Sequence, residues 1–157
     1  MDKTSINQKL KTVFWITFII YFLVLIKLIF FKLPLPAVLM IITGDDINYA
    51  HSVNIIPFKT IIFYLHGNPL PHIAFKNLLG NILFFIPFGF LLPVLLSKIN
   101  SAKNILIASA TFSLLLELLQ IFLHLGSFDI DDIFLNTVGA LIGYLVALKI
   151  FTPKKQT

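Results

Sequence analysis

Cysteine is absent from this chain, arginine is absent as well, and glutamate occurs once, at Glu117. Without cysteine there is no disulfide, no thiolate nucleophile and no thiolate metal site. Charge of either sign is scarce: 12% of the 157 residues are charged, against roughly a quarter in a soluble domain. Apolar residues take that place, at 58% of positions with a mean hydropathy of +0.95. This composition belongs to the integral membrane class, and at this length one bundle is expected, a single domain over residues 1–157. The basic residues are twelve lysines giving a formal net charge of +5. They flank apolar runs and form no patch on a soluble face, so they read as orientation signals, and no nucleic-acid partner is expected.

Four apolar runs cover residues 13–31, 78–96, 105–125 and 133–151. Each holds about twenty residues, enough at about 1.5 Å per residue to cross a hydrocarbon core of roughly 30 Å. The first run is longer than the ~7–15 apolar residues of a signal peptide and no A-x-A-like cleavage site follows, so it reads as a retained span. The expected fold class is an all-α polytopic membrane bundle of four transmembrane helices.

Lysine placement orients it. Lys3, Lys9 and Lys11 precede the first span, Lys98 and Lys103 join the second to the third, and Lys149, Lys154 and Lys155 follow the fourth. Placing these inside leaves Lys27, Lys32, Lys59 and Lys76 outside, where the turn 126–132 carries three aspartates and no lysine. The positive-inside rule therefore predicts a multi-pass cell-membrane protein with both termini cytoplasmic.

The connection 32–77 contains more than loop. Residues 34–42 are apolar but too short to span, which suits an interfacial or re-entrant segment. Residues 57–65 read as a short helix lying on the membrane, with Asn54 as its cap and Pro57 in its first turn.

Polar residues inside the spans follow helical spacing. Ser109, Ser113, Glu117, Gln120 and His124 recur every three or four residues, within an arc of about 80°. Glu117 is expected near mid-membrane, facing the bundle interior, because an exposed carboxylate there costs several kcal/mol. Asp132, Asn136, Gly139 and Gly143 share a face of the fourth span, and Gly139, Gly143 and Ala147 form a small-xxx-small ridge for close helix packing. Asp129 or Ser127 caps that span. Asn77 and Asn81 lie a turn apart on the second span, ahead of Pro87 and Pro93, which remove backbone donors. With the orientation above, these polar groups converge on the outer half of the bundle.

That convergence defines the candidate ligand-binding residues: Asn77, Asn81, Glu117, Gln120, His124, Asp132 and Asn136. Glu117, Asp129, Asp131 and Asp132 are the candidates should there be catalysis. No established metal-ligand spacing is present, so neither metal nor cofactor is expected. A Ser127–His124–Asp129 triad is disfavoured because neighbours on one turn seldom orient that way. Four spans without repeated halves make a poor transporter.

At these same residues the chain resembles the VanZ-like family of small bacterial membrane proteins. The resemblance rests on Asn54-Ile55-Ile56-Pro57-Phe58, on the block from Asn77-Leu78-Leu79-Gly80-Asn81 to Pro87-Phe88-Gly89, on Glu117-Leu118-Leu119-Gln120, and on Asp129-Ile130-Asp131-Asp132 through Asn136 to Gly139. It covers residues 54–151, and the order and spacing of four blocks make it specific. It implies a multi-pass membrane protein that lowers sensitivity to teicoplanin, a lipid-tailed glycopeptide antibiotic, and it implies no catalytic residue. Many family members carry arginine at or near the position of Ser127, so a substrate of such relatives does not transfer directly.

The resulting expectation is a non-enzymatic binder of a membrane lipid or lipid-tailed ligand, either a lipoglycopeptide or a lipid-linked envelope intermediate. An apolar groove beside convergent polar groups suits a greasy tail and a polar head. The alternative is a membrane-embedded enzyme modifying a lipid-linked envelope substrate through Glu117 and the Asp129, Asp131 and Asp132 cluster.

Overall fold

Away from water, a helix is the only open segment that satisfies its own backbone donors and acceptors, and the apolar runs fold accordingly. The structure, a computed structural model, describes residues 8–30, 53–123 and 126–151. In chain order the elements are α1 (Gln8–Phe30), β1 (Val53–Asn54), α2 (Lys59–Leu65), α3 (Pro71–Leu95), α4 (Ala102–Phe122), β2 (Phe128–Asp129) and α5 (Ile130–Phe151). Helices α1, α3, α4 and α5 are each long and apolar enough to cross a membrane. Among the described residues the chain is thus an all-α bundle of four membrane-length helices, with one short helix between the first two. Residues 34–42 lie outside the described residues.

Helix ends differ from the apolar runs where local chemistry decides them. Helix α3 starts at Pro71, well before the run at 78, because proline at a first helical position needs no donor and has its φ already set. Ser101 caps α4 by accepting the Asn104 amide at 3.2 Å. Pro87 and Pro93 lie within α3 without ending it. Near Pro87, the Tyr21 hydroxyl donates to the Phe84 carbonyl at 2.8 Å and so ties α1 to α3.

The tightest pairing joins α3 and α5, and glycine makes it possible. A Cβ on Gly139 would stand 2.1 Å from the Ile82 carbonyl oxygen, and one on Gly143 would stand 1.9 Å from that of Ile86. From the facing helix, a Cβ on Gly89 would stand 1.8 Å from the Ala140 carbonyl oxygen. Small residues let the two backbones touch, and dispersion over that contact replaces the hydrophobic drive that lipid removes. Ala147 continues the ridge and is fully buried.

Around this pair Leu25, Phe85, Phe88, Ile105, Leu116 and Tyr144 form a core drawn from all four long helices. The Phe88 and Phe112 rings stack at 5.1 Å. At one end of the bundle the Tyr144 hydroxyl donates to the Asn100 carbonyl at 3.1 Å. The opposite end is closed by polar groups. There β1 and β2 pair in parallel, Val53 beside Phe128 and Asn54 beside Asp129, which brings the lead-in to α2 against the start of α5.

Candidate functional site

The polar stripe of α4 faces inward. Ser109, Ser113, Glu117 and Gln120 are all buried, consistent with the cost of presenting polar groups to hydrocarbon. Ser109 satisfies itself on its own helix, donating to the Ile105 carbonyl at 2.8 Å. Ser113 accepts from the Asn136 amide of α5 at 2.8 Å, a buried link between the two helices. His124, the last residue of the stripe, lies outside the described residues.

Glu117 stands midway between the centre of α4 and its end at Phe122. Helix α4 stops at Phe122, which leaves Glu117 only about 7–8 Å short of the helix end at about 1.5 Å per residue. Its Oε2 accepts the Asp129 backbone amide at 2.9 Å. The helix ends at Phe122, short of the apolar run 105–125, and the carboxylate meets the turn that begins α5.

The three aspartates have separate employments. Asp129 caps α5, its Oδ1 accepting the Asp131 amide at 2.9 Å. The same oxygen accepts the Asn54 side-chain amide at 2.9 Å, and Oδ2 accepts the Thr60 hydroxyl at 2.5 Å. Asp131, 2% exposed, reaches across to α2 and accepts the backbone amides of Phe58 at 2.6 Å, Thr60 at 2.8 Å and Ile61 at 3.2 Å. Asp132 accepts the side-chain amide of Asn81 from α3.

The cap of α2 is thus Asp131 and not Asn54. Asn54 Oδ1 accepts the Ile56 amide at 3.2 Å, while its amide group serves Thr60 and Asp129. A carboxylate is the stronger acceptor, and its two oxygens answer three orphan amides of a helix start at once. Phe58, directly ahead of α2, has a left-handed backbone with φ 65°, a conformation that costs a non-glycine residue roughly 1–3 kcal/mol and persists where neighbours hold it. The Asp131 bond to the Phe58 amide is such a hold.

Of the candidate ligand-binding residues, Asn81, Glu117, Gln120, Asp132 and Asn136 line one cleft, with Leu28, Phe84, Phe85 and Leu116 as its apolar part. The free volume between them is about 20 Å³, room for one water molecule. Asn77 is not among them; its side-chain amide donates to the Tyr64 hydroxyl at 2.9 Å and ties α3 to α2. Burial raises the Tyr64 pKa, the Asn77 bond opposes that rise, and the Asp132 and Asp129 charges add to it. Asp129 and Asp131 lie beyond the cleft, in the clasp around α2.

Thr60 and Tyr64 belong to this end of the bundle and carry no sequence signal of their own. Both are ordinary residues of a short amphipathic segment, and only the pairing of β1 with β2 brings that segment to the acids.

Four membrane-length helices, packed on a glycine ridge and closed at one end by carboxylates, amides and a clasped short helix, define a polytopic helical membrane protein with a polar end-site. The chain belongs to the VanZ/LLP1 family, whose family model matches residues 18–152. It is similar to Protein VanZ of Enterococcus faecium, at 32% identity over 128 residues that cover 79% of this chain and 66% of that relative. The aligned region therefore spans just under two thirds of that relative's length. No solved structure matches the chain.

Proposed function

We propose that this protein binds a lipid-tailed ligand at the external face of the cell membrane, a lipoglycopeptide or a lipid-linked envelope intermediate, and thereby lowers sensitivity to teicoplanin. The observation that carries the reading is the cleft in which Asn81, Glu117, Gln120, Asp132 and Asn136 meet beside Leu28, Phe84 and Phe85. Donors and acceptors of both kinds stand next to an apolar lining, the combination that suits a polar group on a greasy tail. With room for a water-sized group, the cleft admits the tip of a polar head, and the tail lies against the bundle surface in lipid. Asn81 and Asp132, both half-buried, are the members such a head meets first. Similarity to Protein VanZ supports the link to glycopeptide sensitivity. Each of the four acids already accepts a hydrogen bond from the protein, which supports binding over turnover.

The test is expression of the full chain in a teicoplanin-sensitive Gram-positive host. The expected outcome is a raised inhibitory concentration for teicoplanin and little change for a glycopeptide without a lipid tail. Equal protection against both would remove the tail from the reading, and no protection would remove the resistance role. Native mass spectrometry of the purified protein with teicoplanin then reads binding directly.

A further inference from the structure

A second recess stands apart from the cleft between Asn81 and Glu117. It lies where β1, α2 and the turn ahead of α5 meet, and its free volume is about 310 Å³, against about 20 Å³ in the cleft. That brings it to the lower end of small-ligand sites, which begin at roughly 300 Å³. Val53, Phe63 and Phe128 form the apolar part of its lining, and Lys59 and Ser127 belong to the polar part.

The other polar groups of the lining are already engaged. Asn54 and Thr60 donate to Asp129, whose oxygens also take the Asp131 amide. The amides at the start of α2 are held by Asp131. What is left for a ligand is the exposed Lys59 ammonium and the exposed Ser127 hydroxyl, neither of which has a recorded partner among the described residues. One cation and one neutral donor favour an anion with several acceptor oxygens. The surroundings favour a tail on that anion. Ile55, Ile56, Phe58 and Ile62 are exposed on the same short stretch as Val53 and Phe63, and an apolar surface of that kind at a bundle end lies in the membrane–water boundary.

We propose that this recess seats the phosphate-bearing head of a membrane lipid, with Lys59 as the cation, Ser127 as a hydrogen-bond donor, and Val53, Phe63 and Phe128 against the first carbons of the tail. The inference goes beyond the cleft reading and needs no ligand between Asn81 and Glu117.

The test is a native mass spectrometry titration of the full chain in detergent with dioleoyl phosphatidic acid. Dioleoylglycerol serves as the control without phosphate, and inorganic phosphate as the control without a tail. One phosphatidic acid per chain is expected, with dioleoylglycerol and inorganic phosphate each bound at least about tenfold more weakly. Lys59→Gln removes a charge-assisted contact and is expected to weaken binding about tenfold or more, with melting unchanged because Lys59 holds nothing else in place. Lys76→Gln, at an exposed lysine outside the recess, is expected to change it less than twofold. Ser127→Trp, which fills the recess and spares the aspartates, is expected to abolish the 1:1 complex. Wild-type affinity in Lys59→Gln overturns the site, and equal losses in both lysine variants reduce it to general surface attraction. Inorganic phosphate as strong as the lipid overturns the lipid assignment. The cleft reading survives any of these, since teicoplanin sensitivity and Glu117 variants test it.

Discussion

Asp131 stands in the first turn of α5, yet it caps a helix far back in the chain, accepting at 2.6 Å the backbone amide of Phe58, 73 positions earlier. Thr60 and Ile61 donate to the same carboxylate. Two blocks of the family resemblance, Asn54 to Phe58 and Asp129 to Asp132, are thus halves of one clasp. The clasp explains why a seven-residue helix exists here, since isolated helices shorter than about 12–15 residues are marginal in water.

Removing the clasp carboxylate should free α2. Asp131→Ala leaves three helix-start amides without their acceptor, a loss of about 1–3 kcal/mol. Hydrogen exchange across residues 59–65 is expected to accelerate by about tenfold or more, with the α3–α5 pair still protected. Asp131→Asn keeps one side-chain oxygen and should fall between wild type and Ala. Unaltered protection of 59–65 in the Ala variant would show that packing, and not the carboxylate, holds α2.

The glycine ridge should be intolerant of any side chain. The nearest obstacle at Gly143 is the Ile86 carbonyl oxygen, and at Gly89 it is that of Ala140. Backbone cannot swing aside as a side chain can, so Gly143→Leu and Gly89→Ala both force α3 and α5 apart. Overpacking costs typically about 1–3 kcal/mol, and lowered melting in detergent is expected for each. Wild-type melting in both variants would contradict the backbone contact described for this pair.

Orientation is open to a direct reporter experiment. Eight lysines border the ends assigned to the inside, so a reporter fused after Thr157 should report cytoplasm and one inserted at Gly126 should report the exterior. An external carboxyl terminus would move the acid cluster, the cleft and the Lys59 recess to the cytoplasmic side.

Periodicity made the interior of the bundle legible and left its end obscure. The spans follow from uninterrupted apolar runs, and the inward stripe Ser109, Ser113, Glu117 and Gln120 follows from helical spacing, because a carboxylate or amide facing lipid is costly and polar residues in register with it share its buried face. Gly139 and Gly143 mark a ridge by the same logic. Gly89, which meets that ridge from the other helix, shows nothing in its own neighbourhood, being one glycine between prolines. The roles of Asn54, Thr60 and Tyr64 rest on partners 69–75 positions away or on the facing side of a turn. No local pattern encodes such partners, so Asn54 reads as a cap until Asp131 is seen to occupy that place.

Glu117 joins the legible interior to the obscure end, and its variants separate the two kinds of role. Its Oε2 accepts the Asp129 amide at 2.9 Å, and Asp129 in turn holds Asn54 and Thr60. Glu117→Gln keeps a carbonyl oxygen able to accept that amide while removing the ionisable group, so expression, melting and the protection of α2 should match wild type. Glu117→Ala leaves the half-buried Asp129 amide unpaired and should lower stability by about 1–3 kcal/mol, with faster exchange at both α2 and the start of α5. Under the proposed function, both variants lose teicoplanin protection, since each removes the carboxylate that lines the cleft beside Asn81 and Asp132. A purely architectural Glu117 gives a different ranking: Gln protects fully, and Ala fails only as far as it misfolds. The deciding measurement is the teicoplanin inhibitory concentration for Glu117→Gln at wild-type abundance in the membrane. Full protection there would sink the ligand-binding role of this carboxylate and leave Asn81 and Asp132, the half-buried pair at the same cleft, as the groups to test next.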